Sequence, residues 1–183
     1  MQTLTKPVTY DDYRKSRADD NFLYELLGGE LVRKSAPTLE HQFISRNLFR
    51  KMDAFAAAGK LGEVLYAPVD VFIDEHNTPQ PEILFVAAKN LAFITPDGVF
   101  GPPDLVVEII SPGSIVRDRV DKMRRYQKFG IAEYWMIDPQ NKSVEVYQNT
   151  AEGYNIFSFA AESGKVNSRV LETFAVDLAE FFA

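Results

Sequence analysis

Along LEHQFISRNLFRKMDAFAAAG (39–59), apolar side chains recur at Ile44, Leu48, Met52 and Phe55, and Gly59 follows as a stop. That spacing is one face of a helix. On either side the apolar period shortens towards two. FLYELLGGELVRKS (22–35) predicts two β segments around Gly28-Gly29, a two-residue hairpin signal. EVLYAPVDVFID (63–74) and EILFVAA (82–88) are strand candidates separated by the polar turn EHNTPQP. A third strand is predicted over 104–110, apolar at nearly every position and stopped by SPGS. A helix over about 115–129, closed by Gly130, precedes strands at 132–139, 143–149 and 154–160, and DLAEFFA predicts a terminal helix. Residues 8–18 predict a short polar helix. Helices and strands in this order predict an α/β (α+β) fold, a mixed central β-sheet flanked by helices.

The 104–110 strand breaks its own pattern. Side chains alternate across a strand, so Leu105, Val107 and Ile109 make a clean apolar face while Asp104, Val106, Glu108 and Ile110 share the other. A carboxylate among aliphatic neighbours must be paired, protonated or bound to a cation. An ion pair with some Arg or Lys is the plain structural answer. A metal is the chemical one, because Glu82 stands at the start of another strand directly after Pro81. Two carboxylates from adjacent strands can converge on one hard cation such as Mg²⁺. Asp104 is the less direct partner, since four strand residues span about 13 Å.

Charge adds a second feature. The chain carries a net charge of −6 at pH 7, yet Arg117 to Lys128 holds six basic residues against two acids. For most of them the expectation is a solvated helix surface, with Asp118 and Lys122 as an i,i+4 pair. Lys122 stands apart because its helix starts where the Glu108 strand ends. The overall acidity argues against a general nucleic-acid coat protein, which would present a basic surface. It leaves room for an enzyme with acids at a metal and basic residues on the rim.

The length of 183 residues suits one domain over 1–183, and zero cysteines exclude a disulfide framework and a thiolate zinc site. No apolar run reaches the roughly 20 residues of a membrane span. MQTLTKPVTYDDY lacks the basic and apolar regions of a signal peptide, so a cytoplasmic location without membrane partners is expected. The two histidines, His41 on the long helix and His76 in the polar turn, are expected in a capping or surface role and in solvent. Tyr134 and Trp135 read as core, Asp70 as a surface strand position, and Asp138-Pro139 as a strand stop.

The strings PDLVVEIISPGS, RDRVDKMRRYQKFGIAEYWMID, YELLGGELV, EHQFISRNL and PQPEILFV together resemble the restriction-endonuclease-like family called Uma-two, a branch of the PD-(D/E)XK nuclease superfamily. The resemblance runs from about Leu23 to FAVDLAEFF. It implies a restriction-endonuclease-like fold, metal-dependent hydrolysis of DNA phosphodiester bonds with Mg²⁺ or Mn²⁺, and, by analogy of fold alone, a homodimer. The superfamily places an acid after a proline on one strand and acid-x-lysine on the next. Carried over, Glu82 and Glu108 are the acids, Ile110 falls where the lysine would be, and Lys122 matches the family's lysine on the following helix. Glu82, Glu108 and Asp104 would then hold the metal, and Glu82, Glu108 and Lys122 would carry the chemistry. Glu30 and His41 match two further cleft positions, and Arg117 and Arg119 would position phosphates. Two departures stand out: Ile110 cannot polarise a phosphate, and Glu82 replaces the usual Asp. They favour, as the rival reading, a degenerate nuclease fold retained as a non-catalytic nucleic-acid or protein binding module. A third reading is a purely structural domain in which Glu108 is ion-paired in the core.

Overall fold

The computed structural model describes residues 6–16, 22–111, 113–114 and 116–182. The chain runs α1 (Tyr10–Ser16), β1 (Tyr24–Leu27), β2 (Glu30–Arg33), α2 (Leu39–Gly59), β3 (Gly62–Tyr66), β4 (Asn77–Thr78) and β5 (Ile83–Ala87). It continues through β6 (Ile94–Thr95), β7 (Gly98–Val99) and β8 (Leu105–Ile109) to a π-helical segment (Arg117–Lys122) that passes into α3 (Met123–Phe129). It closes with β9 (Glu133–Asp138), β10 (Ser143–Thr150), β11 (Gly153–Ala161), β12 (Lys165–Asn167) and β13 (Ala175–Asp177).

Six strands form the central sheet in the order β11-β10-β9-β8-β5-β3. It is mixed: β8 and β9 are parallel and joined through the π-helical segment and α3, and the other neighbours are antiparallel. A parallel pair needs a crossover of this kind. The alternation read along β8 sorts the core. Leu105, Val107 and Ile109 pack with Trp135 and Ile137 of β9 beneath Ile44, Leu48 and Met52 of α2. Val106 and Ile110 face the opposite way, with Tyr134 and Met136, against Tyr126 of α3. Both sides of the sheet are therefore covered by helices, and Glu108 lies on the α3 side. Trp135 is fully buried, and its truncation to Ala would cost about 3–5 kcal/mol. No helix among the described residues is long and apolar enough to cross a membrane.

Local chemistry sets the boundaries. Gly28 (φ 64°) and Gly29 (φ 79°) turn β1 into β2 with both central residues at positive φ, the requirement of a type I′ hairpin. Thr38 caps α2 by accepting from the His41 N–H, and Lys60, in the left-handed region, ends it. The expected strand over 63–74 stops at Tyr66, because Pro68 has no N–H to donate to a ladder. The expected terminal helix is a single 3₁₀ turn, Leu178–Glu180, closed by a capping box between Asp177 and Glu180. Of the predicted helix over 8–18, Val8 and Thr9 lie outside the helix and Tyr10–Ser16 is helical, and the predicted helix over 115–129 is described from Val116 onward. Their residues 17, 18 and 115, Pro112 of the SPGS turn, and Ala183 lie outside the described residues.

Candidate functional site

Four elements bring charge to one point. Glu108 stands in the middle of β8 on the α3 side, and Glu25 projects from β1. Asp118 and Lys122 both come from the π-helical segment and are both buried, so this widened turn places them inward together. Lys122 Nζ lies 2.8 Å from Glu25 Oε1, 2.9 Å from Glu108 Oε1 and 3.8 Å from Asp118 Oδ1. The Tyr126 hydroxyl donates to the same Glu108 oxygen at 2.6 Å. Glu25 Oε1 also accepts the Gln80 N–H at 2.7 Å. The expected Asp118–Lys122 pair thus exists, but within the protein rather than on a solvated helix face. The plain structural answer for Glu108, an ion pair, is present too.

One ammonium faces three carboxylates, and the electrostatics follow from that imbalance. Burial pushes the Glu108 carboxyl up to about 8 despite Lys122, with Asp118 and Glu25 adding to the rise. Burial likewise raises Asp118, which Lys122 and a hydrogen bond from Ser114 only partly offset. Burial alone would raise Glu25 as well, but Lys122 and Lys34 hold its carboxyl below the ordinary value. For Lys122 burial favours the neutral amine, and the three carboxylates outweigh it and raise its pKa.

Glu82 stands beside this cluster. Its N–H donates to Val107 O at 3.0 Å, so it enters β5 next to Glu108 of the neighbouring strand. Its carboxylate lies 3.6 Å from Lys34 Nζ and 3.9 Å from His41 Nε2. Glu25, Glu82, Glu108, Lys122, His41 and Arg117 all line one cleft of about 1440 Å³ between the end of the sheet and the start of α2.

Other expected residues go elsewhere. The Asp104 carboxylate accepts from Ala87 N (2.8 Å) and from Asn90 Nδ2 (3.0 Å), which ties it to the end of β5 and the residues that follow, at the far end of β8 from the cleft. Arg119 reaches out over β10, bonding Glu145 at 2.9 Å and lying 3.7 Å from Asp138, and does not line the cleft. Glu30 is exposed at the start of β2, on the hairpin, and does not line it either. The hairpin carboxylate that reaches the cluster is Glu25. Asp70 is buried, not on the surface, and accepts from Tyr13 OH (2.9 Å) and Gln80 Nε2 (2.7 Å). His76 is half-buried, with Nδ1 2.9 Å from Val8 O. Tyr134 and Trp135 are core.

Oxygen-only donors of this kind suit a hard divalent cation, and a cluster with more buried carboxylates than cations has charge for one to neutralise. Among the described residues, however, no three acidic or imidazole side chains close around one point. Lys122 occupies the space between Glu25 and Glu108. The donor chemistry fits a metal, and the ammonium stands where one would share those carboxylates.

Comparison with known proteins agrees with this architecture. Residues 10–179 match the family model Uma2, described as "Putative restriction endonuclease". Among solved structures, the chain is similar to a crystal structure described as a putative nuclease belonging to DUF820 from Anabaena variabilis. The TM-score is 0.78 at 16% identity, over 96% of this chain and 98% of that one, which is a likeness of fold. No curated protein matches.

Proposed function

The chain belongs to the Uma2 family of restriction-endonuclease-like proteins, and from that premise we propose that it is a metal-dependent endonuclease hydrolysing phosphodiester bonds in DNA. The observation that carries the proposal is the cleft floor, where Glu82 and Glu108 lie on adjacent strands beside Lys122 with carboxylates in excess. Glu82 and Glu108 would hold Mg²⁺ or Mn²⁺, which when bound supplies Lewis-acid polarisation of the phosphate and a more acidic water. Lys122 brings a fixed positive charge to developing negative charge on the phosphate, in surroundings with little water to screen it. Arg117 lines the same cleft, and its Nε, 4.0 Å from Asp118 Oδ1, is buried without a hydrogen-bond partner among the described residues. A backbone phosphate oxygen satisfies such a donor, a contact that positions the strand without reading its sequence. Tyr126 fixes the Glu108 oxygen through its 2.6 Å bond.

One observation favours a second reading, a nuclease fold kept as a non-catalytic binding module. Lys122 already pairs with both Glu25 and Glu108, and Ile110 holds the position of the superfamily lysine. Hydrolysis separates the two. Labelled DNA in single-stranded and duplex form is incubated with Mg²⁺ or Mn²⁺ and wild type, Glu82→Ala or Glu108→Ala. The nuclease reading expects cleavage that chelator abolishes and that falls by at least about a hundredfold in both variants. Binding without cleavage under every condition establishes the second reading.

A further inference from the structure

The wall of the cleft indicates which form of nucleic acid enters it. From α2, Phe43 and Phe49 line it, and Tyr66 at the end of β3 stands against them. Phe49 and Tyr66 meet edge to face with ring centroids 5.2 Å apart, and the Ser45 hydroxyl donates to the Tyr66 oxygen at 3.0 Å. Tyr66 is thereby held in place while 40% exposed, and Phe43 is 45% exposed. Guanidinium groups accompany the rings. Arg46 lies 5.1 Å from the Phe43 ring centroid, and Arg33 lies 3.3 Å above the ring of Phe22. Both arginines also line the cleft.

Exposed rings rimmed by cations mark a binding surface for something both flat and anionic. A duplex supplies the anion but keeps the flat faces of its bases stacked inside, and offers only base edges in its grooves. An unpaired strand offers both. Depth points the same way. Glu25, Glu108 and Lys122 are only 1%, 3% and 2% exposed, so the reacting phosphate must pass below the rim to meet them, which a single strand does more readily than a duplex. At about 1440 Å³ the cleft also exceeds the roughly 300–1,000 Å³ of a small-ligand pocket, as a stretch of polymer requires.

We propose that the cleft takes an unpaired DNA strand, with bases stacked on Phe43 and Tyr66, and with Arg33, Arg46 and Arg117 along the backbone. The proposal rests on the endonuclease reading for its site but not for its test. Fluorescence anisotropy in the presence of chelator measures binding of labelled oligo-dT and of a duplex of equal length. The strand is expected to bind more tightly than the duplex. Phe43→Ala and Tyr66→Ala should each weaken strand binding by about 5- to 150-fold, the range of one lost base–aromatic stack. Phe43→Trp should retain it. Because Phe43 is half exposed on a helix, its variants keep the fold, which circular dichroism checks. Equal or tighter duplex binding, or strand affinity unchanged in Phe43→Ala, overturns the proposal. Cleavage of duplex alone would overturn it while leaving the endonuclease reading intact. Tight strand binding without cleavage would do the reverse.

Discussion

Two buried carboxylates sit on neighbouring strands and meet opposite fates. Glu133 opens β9 with no exposure, and Glu108 lies in β8 with 3%. Glu133 accepts from Trp135 Nε1 (2.6 Å), Ser168 Oγ (2.7 Å), Arg169 N (2.5 Å) and Val170 N (2.9 Å). Each of these donors is neutral and fixed by the fold, and Glu133 does not line the cleft described above. Glu108 instead shares one lysine with two other carboxylates and opens onto a cleft. Burial of an acid inside an apolar strand is therefore not by itself the mark of a site. The marks are an unbalanced charge and a path from solvent to it. Glu133 closes a loop onto the sheet, and Glu108 shares its lysine at the floor of the cleft.

This contrast can be broken from either side. The largest effect is expected at Glu133. Glu133→Ala orphans two buried donors, Trp135 Nε1 and Ser168 Oγ, at about 1–3 kcal/mol each, frees two partly buried backbone N–H groups and leaves a cavity, together a large share of the stability of a domain. Chemical denaturation should find the variant unfolded or nearly so. Next is Lys122→Met, which leaves three carboxylates without their ammonium and should cost about 3–5 kcal/mol at pH 8. Its loss should shrink at pH 5, where raised carboxyls such as Glu108 take up protons.

The contrast also predicts a pH slope. Glu108 titrates at about 8 in the folded chain against an ordinary 4.5. Between those values the folded state holds a proton that the unfolded state has released. Stability is therefore present at low pH and falls as pH rises towards 8, by up to about 1.4 kcal/mol per unit. Urea denaturation from pH 5 to 8 should show that decline in wild type and a flatter profile in Glu108→Gln. The smallest effect is expected at Arg119. It is about a third exposed, and Arg119→Ala should cost roughly 0.2–1 kcal/mol. Cleavage assays should find its activity unchanged, because the side chain does not line the cleft and its closest partner is Glu145 of β10, at 2.9 Å.

Much of this arrangement was legible in the chain. Alternation along 105–109 sorts both faces of the sheet, and the proline before Glu82 marks the entry to β5. The spacing of α2 reads directly as its buried stripe. What sequence could not give was where polar side chains turn once placed. Asp104 shares a face with Glu108 by alternation, yet its carboxylate is claimed by the Ala87 amide and Asn90. Arg119 lies on the same helical segment as Lys122, yet points to β10. The hairpin acid in the cluster is Glu25 and not Glu30, and the chain carries a signal for it. FLYELL carries one acid inside an apolar strand, the same irregularity that singled out Glu108. The strand expected over 63–74 ends at Tyr66 because Pro68 cannot donate to a ladder, and the terminal helix is short because Leu178 and Phe181 turn into the core after one turn.

Whether Glu108 holds a metal is decided by titration calorimetry of Mg²⁺ and Mn²⁺ into wild type, Glu108→Gln and Asp104→Asn at pH 8. The expected result is binding to wild type and Asp104→Asn, with release of protons, and loss of binding in Glu108→Gln. No binding by folded wild type, or undiminished binding by Glu108→Gln, would contradict it and leave Glu108 as a core ion pair like any other.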